Sequence, residues 1–176
     1  QGARVIIQEA QTIKSLVDEF SDFARLPKIN LQPASVHDII GQVVTMFRGI
    51  FADVQFELAL SPDVPASLQL DPEQMKRVFI NLIDNAIDAM NKKGKIFIHT
   101  FYDRETNQVR IEVSDTGPGI QIEDKDKLFL PHFSTKKKGT GLGLAIVSQI
   151  IKEHNGAIQV QNNRPGGAKF TLQLPA

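Results

Sequence analysis

From Thr116 to Thr140 the chain shows no periodic apolar pattern, yet it is bracketed by two glycine blocks. Asp115-Thr116-Gly117-Pro118-Gly119-Ile120 opens it and Gly139-Thr140-Gly141-Leu142-Gly143-Leu144 closes it. Compact domains rarely carry so long an irregular stretch unless it works as a lid over a site. The remaining residues must therefore build a body around it. With 176 residues in all, that body is one packed domain with an added element, not two full domains. A hydrophobic content of 41% against 23% charged residues argues for a globular chain over a disordered one.

Charge and cysteine content narrow the classes further. Lys plus Arg equals Asp plus Glu at 20 each, which gives no basic field for a nucleic-acid partner. Without cysteine there is neither a disulfide framework nor a thiolate metal site. The apolar runs are too short to span a bilayer. Gln1 stands first with no signal-peptide pattern behind it. The expectation is a piece of a longer polypeptide.

Local signals place the elements. Ile13, Leu16, Val17, Phe20, Phe23 and Ala24 recur at helical spacing, predicting a long amphipathic helix over Ala3 to Leu26 that Pro27 stops. Its single apolar stripe needs cover from the following domain or from another helix. Pro33 to Ser35 opens a second helix, to about Arg48, and Val54 to Leu60 alternates as a strand. A short strand is placed at Ser67 to Leu70. Asp71-Pro72-Glu73 starts a helix with an N-cap carboxylate, a proline at the first position and an acid in the first turn. It is read to about Asn91, ended by Lys92-Lys93-Gly94. Two hairpins (Lys95–Tyr102 with Gln108–Ser114, Ala157–Asn162 with Ala168–Leu174) and a helix over Leu142 to His154 complete an α+β sandwich, helices on one face of a mainly antiparallel sheet.

Three constellations carry chemistry. Asn81, Asn85, Asp88 and Lys92 fall at i, i+4, i+7 and i+11, on one face of the helix from Asp71. Stacked asparagines offer neutral oxygens suited to Mg²⁺ carried in by a nucleotide, though the same pattern alone also reads as a solvated face. Asp115, at a strand end before glycines, can accept a hydrogen bond from an exocyclic amine while the backbone approaches a flat ring. Alone it also reads as a capped tight turn. Gly139 to Gly143, opening a helix, exposes N–H groups to an anion at the positive helix end, or serves only as a flexible cap. Between the glycine blocks, Phe129 and Phe133 are candidate lid anchors, and Ser134, Thr135 and Lys136 candidate phosphate contacts. At least one lysine of Lys136-Lys137-Lys138 reads as a solvated charge.

In this order the blocks resemble the N box, first glycine box, F box and second glycine box of the GHKL superfamily, with the spacing of sensor histidine kinases. Pro165-Gly166-Gly167-Ala168-Lys169-Phe170 resembles its final glycine block. Glu19-Phe20-Ser21-Asp22-Phe23-Ala24-Arg25-Leu26-Pro27 is similar to the end of the second dimerization helix of nitrogen-regulation kinases. The resemblance implies a Bergerat ATP-binding fold over 31–176, preceded at 1–30 by the second helix of a dimerization and phosphoacceptor hairpin. It implies ATP and Mg²⁺ as cofactors, with Asn85 on the metal, Asn81 in support, and Asp115 on the adenine amine beside Gly117, Gly119 and Ile120. Gly139, Thr140, Gly141, Leu142, Gly143 and Leu144 would surround the phosphates, with Phe129, Thr135 and Lys136 supplied by the lid. Partners implied are a response-regulator receiver domain and the chain's own hairpin helices, in a homodimeric sensor anchored to a membrane with this part in the cytoplasm. Asp88 departs from the pattern, since many histidine kinases carry a basic residue there. Lys92 is its candidate substitute.

Related enzymes leave rivals. GHKL hydrolases place a glutamate four residues before the metal asparagine to activate water, where this chain has Asn81, which is no base at neutral pH. Anti-sigma-type serine kinases share the fold, but the Ala3–Leu26 helix favours a histidine kinase. Of the four histidines, His37, His99, His132 and His154, none has the acid and following proline of the family's phosphoacceptor in the place before the hairpin's end. The expectation is ATP binding without self-phosphorylation.

Overall fold

The computed structural model describes residues 28–134 and 140–176, together with Ala10, Lys14, Val17 and Ser21. Those four are helical and exposed. The predicted helix over Ala3 to Leu26 otherwise lies outside the described residues, as do Thr135, Lys136 and Gly139.

Two helices are set by their caps. Helix α1 (Val36–Ile50) begins where Ser35 Oγ accepts the Asp38 N–H at 3.2 Å, and buries Val36, Ile39, Ile40, Val43, Val44 and Phe47 along one stripe. Helix α2 (Pro72–Ala89) begins at Asp71, whose Oδ1 accepts the N–H groups of Glu73 and Gln74, both at 3.1 Å. Pro72 sits at the first position, where no intrahelical donor is lost. α2 ends at Ala89, ahead of the predicted Asn91, because Asn91 and Lys92 adopt left-handed backbone angles (φ of 52° and 62°) that no α-helix continues.

The main sheet has five strands in the order β2 (Val54–Leu60), β4 (Gly94–Asp103), β5 (Gln108–Asp115), β7 (Ala168–Pro175), β6 (Ala157–Asn162). Only β2 and β4 run parallel, and α2 lies in the crossover between them, as a parallel pair requires. Strand alternation sorts the faces. Ile96, Ile98, Val109, Ile111, Val113, Phe170, Leu172 and Leu174 turn inward and are buried with the apolar sides of α1, α2 and α3 (Gly143–Glu153). Each large side chain so buried contributes about 1.5–3 kcal/mol. The predicted α+β sandwich is the observed one.

A second, two-stranded sheet was not predicted. β1 (Gln32–Ala34), read as the opening of a helix, pairs antiparallel with β3 (Leu68–Leu70). Pro33 is tolerated because the pair has only edges, so a missing N–H breaks no central ladder.

Candidate functional site

The sheet delivers Asp115 to one end of β5, and α2 and α3 bring their polar features to the same place. Together they enclose a cavity of about 900 Å³. Its wall includes Asn81, Asn85, Asp88, Lys92, Asp115, Gly119, Ile120, Phe133, Ser134, Thr140, Gly141, Gly143 and Leu144. That size suits a nucleotide-scale ligand. Residues from four separate stretches thus converge on one cavity.

Asp115 is only 5% exposed, yet it is an acid. Burial pushes its carboxyl above the ordinary carboxylate range, while the N–H groups of Gly117 and Ala168 pull the other way. Both bonds fall on Oδ1, at 2.7 Å from Gly117 and 3.3 Å from Ala168. Neither uses Oδ2. A carboxylate pinned by one oxygen at a cavity wall is an oriented acceptor for an amine such as the adenine amino group.

Also in the wall, Asn81 donates through Nδ2 to the Arg77 carbonyl at 2.9 Å, which fixes the direction of its Oδ1. That oxygen lies against Gly143, where a Cβ would come within 2.8 Å of it. Asn81, Asn85 and the first turn of α3 therefore sit side by side, with an amide oxygen beside backbone N–H groups at a positive helix end. Thr140 Oγ1 accepts the Leu142 N–H at 3.4 Å and shapes the entry to that helix.

The late part of the irregular stretch is tied to the residue just beyond its end. His132 donates its N–H to the Gly141 carbonyl at 3.0 Å, and Gly141 has a φ of +69°. A Cβ at Gly141 would meet His132 C at 2.5 Å and Phe133 N at 2.7 Å, so only glycine admits this closure. Phe129 packs edge-on against Phe170, ring centroids 6.5 Å apart, and so anchors the lid on β7.

Several predicted contacts fall elsewhere. Leu142 is in the hydrophobic core at 1% exposure and does not face the cavity. Gly117 reaches it only through Asp115, and Phe129 only through Phe170, which lines the wall. Lys92 does line it, but not by helical spacing: it stands beyond the helix end, turned in by its left-handed backbone. Residues not singled out also line the cavity, among them Asp84, Asn91 and Leu128. Asp84, the neighbour of Asn85, was open to reading from sequence; Leu128 carries no local signal. No three described His, Asp or Glu side chains cluster as a metal site.

With this geometry in hand, comparison with known proteins identifies the class. Residues 70–176 match the family of histidine kinase-, DNA gyrase B- and HSP90-like ATPases, and the chain belongs to that family. It contains the ATP-binding catalytic domain of the histidine kinases in it. The sensory histidine kinase/phosphatase NtrB of Rhodobacter capsulatus is 33% identical over 183 residues, covering 97% of this chain and 51% of NtrB. Full-length ShkA in complex with AMPPNP superimposes with a TM-score of 0.82 at 25% identity, over 97% of this chain and 37% of ShkA. Histidine kinase ThkA in complex with response regulator TrrA gives a TM-score of 0.80 at 28% identity, over 97% of this chain and 49% of the other. The chain spans between about a quarter and about half the length of such curated relatives. No helix of the described residues is long and apolar enough to cross a membrane.

Proposed function

We propose that this chain positions Mg-ATP so that its γ-phosphoryl group passes to a histidine of a dimerization hairpin, for relay to an aspartate of a response-regulator receiver domain. The convergence of Asp115, the asparagines of α2 and the glycines before α3 on one cavity carries the reading. Asp115 selects the adenine amine. The N–H groups around Gly141 and Gly143 meet the phosphates, where a helix end favours negative charge. Asn85, supported by Asn81, has the neutral oxygen chemistry and the open cradle beside Gly143 that fit Mg²⁺. When bound, the metal supplies charge neutralisation to the phosphates. The protein's own part is orientation and exclusion of water by the lid, through Phe133 and Leu128. Thr135 and Lys136 are proposed as lid contacts to the γ-phosphate.

The wider assignment follows from the relatives. Residues 1–30 are proposed as the second helix of the hairpin and 31–176 as the catalytic domain, in a homodimeric sensor whose membrane anchor leaves this part in the cytoplasm. The structure of ThkA with TrrA supports a response regulator as partner.

Calorimetric titration with Mg-ATP tests the reading. Saturable binding that Asp115→Asn weakens about tenfold or more, with slow phosphate release, is the expected result. Rapid turnover would make the chain a hydrolase despite Asn81.

A further inference from the structure

We infer that Asn162 is a positioning residue for base recognition, holding the Gly119–Ile120 loop in register through its side-chain carboxamide. The inference rests on the adenine reading of Asp115.

Asn162 is the last residue of β6 and is not part of the cavity wall. Its Oδ1 accepts the Ile120 N–H at 2.8 Å, and its Nδ2 donates to the Ile120 carbonyl at 2.8 Å. A carboxamide presents an acceptor oxygen beside an N–H donor, as a peptide group does, so it can pair with a single residue as a neighbouring strand would. Two bonds to one residue fix both its distance and its rotation. A single bond would leave the loop free to swing. Ile120 lies beyond the end of β5, outside every sheet ladder, so this side chain stands in for the strand that is missing.

The pairing is placed where it matters for the base. Gly119 and Ile120 both line the cavity beside Asp115. Gly119 also lies against the same carboxamide, a Cβ there coming within 3.0 Å of Oδ1. The turn after Asn162 holds Asp115 itself. Gly167 accepts the Asn163 N–H at 2.8 Å and packs against the Asp115 carbonyl, and Ala168 donates to Asp115 Oδ1. One hairpin therefore sets both the acceptor for the base amine and the wall next to it. Asn162 is exposed, so water replaces its bonds readily once the carboxamide is removed. The loop then loses its register while every group that touches the nucleotide remains.

The test measures affinities for Mg-ATP and Mg-ITP, which differ at the base (amine against carbonyl at position 6), in the wild type, Asn162→Ala, Asn162→Asp and Asp115→Asn. Asn162→Ala is expected to weaken ATP roughly tenfold and to narrow the ATP-to-ITP ratio. Asn162→Asp, which keeps the acceptor and loses the donor, is expected to do the same. An unchanged ratio, with or without a uniform loss of affinity, would assign Asn162 a structural role only and overturn the inference. If Asp115→Asn keeps the wild-type preference for ATP, the adenine reading fails instead, which is a separate result. Amide hydrogen exchange gives a second readout that needs no variant. Slowed exchange at Ile120 in the ligand-free wild type is expected, and exchange at the rate of an open loop would overturn the clamp.

Discussion

The backbone N–H of Asp71 donates to Nε2 of His154 at 2.9 Å. A backbone N–H can only donate, so Nε2 accepts and the ring proton sits on Nδ1, which faces the Ile150 carbonyl at 2.8 Å. The head of α2 is thereby fastened to the tail of α3, at the ends of the two helices remote from the cavity. Asp71 Oδ2 also accepts the Asn30 N–H at 2.9 Å, so the segment leading into the domain is tied to the same point. His154 is 2% exposed and Asp71 8%.

His154→Leu tests this fastening. It leaves the Asp71 N–H buried without a partner, which costs about 1–3 kcal/mol. Urea unfolding should show a lower midpoint with an unchanged slope, while the preference for ATP over ITP stays as in the wild type. An unaltered midpoint would mean that the N–H finds another acceptor and that the fastening contributes nothing.

Asp115→Asn should separate stability from binding. The folded state raises the Asp115 pKa, chiefly by burial, so this carboxyl stabilises the fold most when protonated. That contribution is full below the ordinary carboxylate value and is lost as pH rises through the raised folded value. Asparagine keeps an oxygen for Gly117 and Ala168 and carries no charge. The ligand-free variant should therefore gain stability relative to the wild type between acid and neutral pH, while its ATP affinity falls tenfold or more, of the order expected for losing a charge-assisted bond. Parallel denaturation curves across that pH range would show that Asp115 carries no burial cost.

Gly143→Ala probes the contact between α3 and Asn81. Alanine is the better helix former, so the helix itself should tolerate the change or gain up to about 1 kcal/mol. The new methyl, however, meets Asn81 Oδ1 at 2.8 Å, and Asn81 is held by Arg77. Asn81 must turn, and the cradle beside Asn85 closes. A Kd for Mg-ATP raised roughly tenfold, with a melting temperature within a few degrees of the wild type, is the expected pair of results. Wild-type affinity would show that the asparagine yields at no cost to the site.

What the sequence disclosed follows from how local each signal is. Asp71 and Pro72 announce α2 because caps act within a turn, and Asn81 and Asn85 share its face because helical spacing is regular. The convergence of these with Asp115 and Gly141 came through family resemblance, since no local rule brings a strand end to helix residues so far back along the chain. Where the reading missed, the cause was non-local or conformational. Pro33 looked like a helix opening because its strand partner, Gln69, is far along the chain. Lys92 was placed by a helix that left-handed Asn91 had already ended. Leu142 sits between two cavity glycines, but its side chain turns to the core. Asn162 gave no signal at all, because both its bonds reach across to Ile120.

His37 supplies a pH dependence of the opposite sign to that of Asp115. Its Nε2 lies 3.0 Å from Thr100 Oγ1, which also accepts the Ser61 N–H at 2.9 Å, so α1, β4 and the end of β2 meet at one hydroxyl. Burial holds the His37 pKa below the ordinary histidine value, against the pull of neighbouring Asp38. The unfolded chain then binds the proton first as pH falls. Stability from this residue is present above the ordinary histidine value, near 6.5, and is lost as pH drops through it towards the lowered folded value. The slope cannot exceed about 1.4 kcal/mol per pH unit for one proton. His37→Gln carries no titrating group, so the wild type should lose more stability than the variant between pH values above and below that point. Urea midpoints for both proteins, taken on either side of it, measure the difference. Equal losses in the two would show that the Thr100 contact survives protonation and that the drop belongs to other groups.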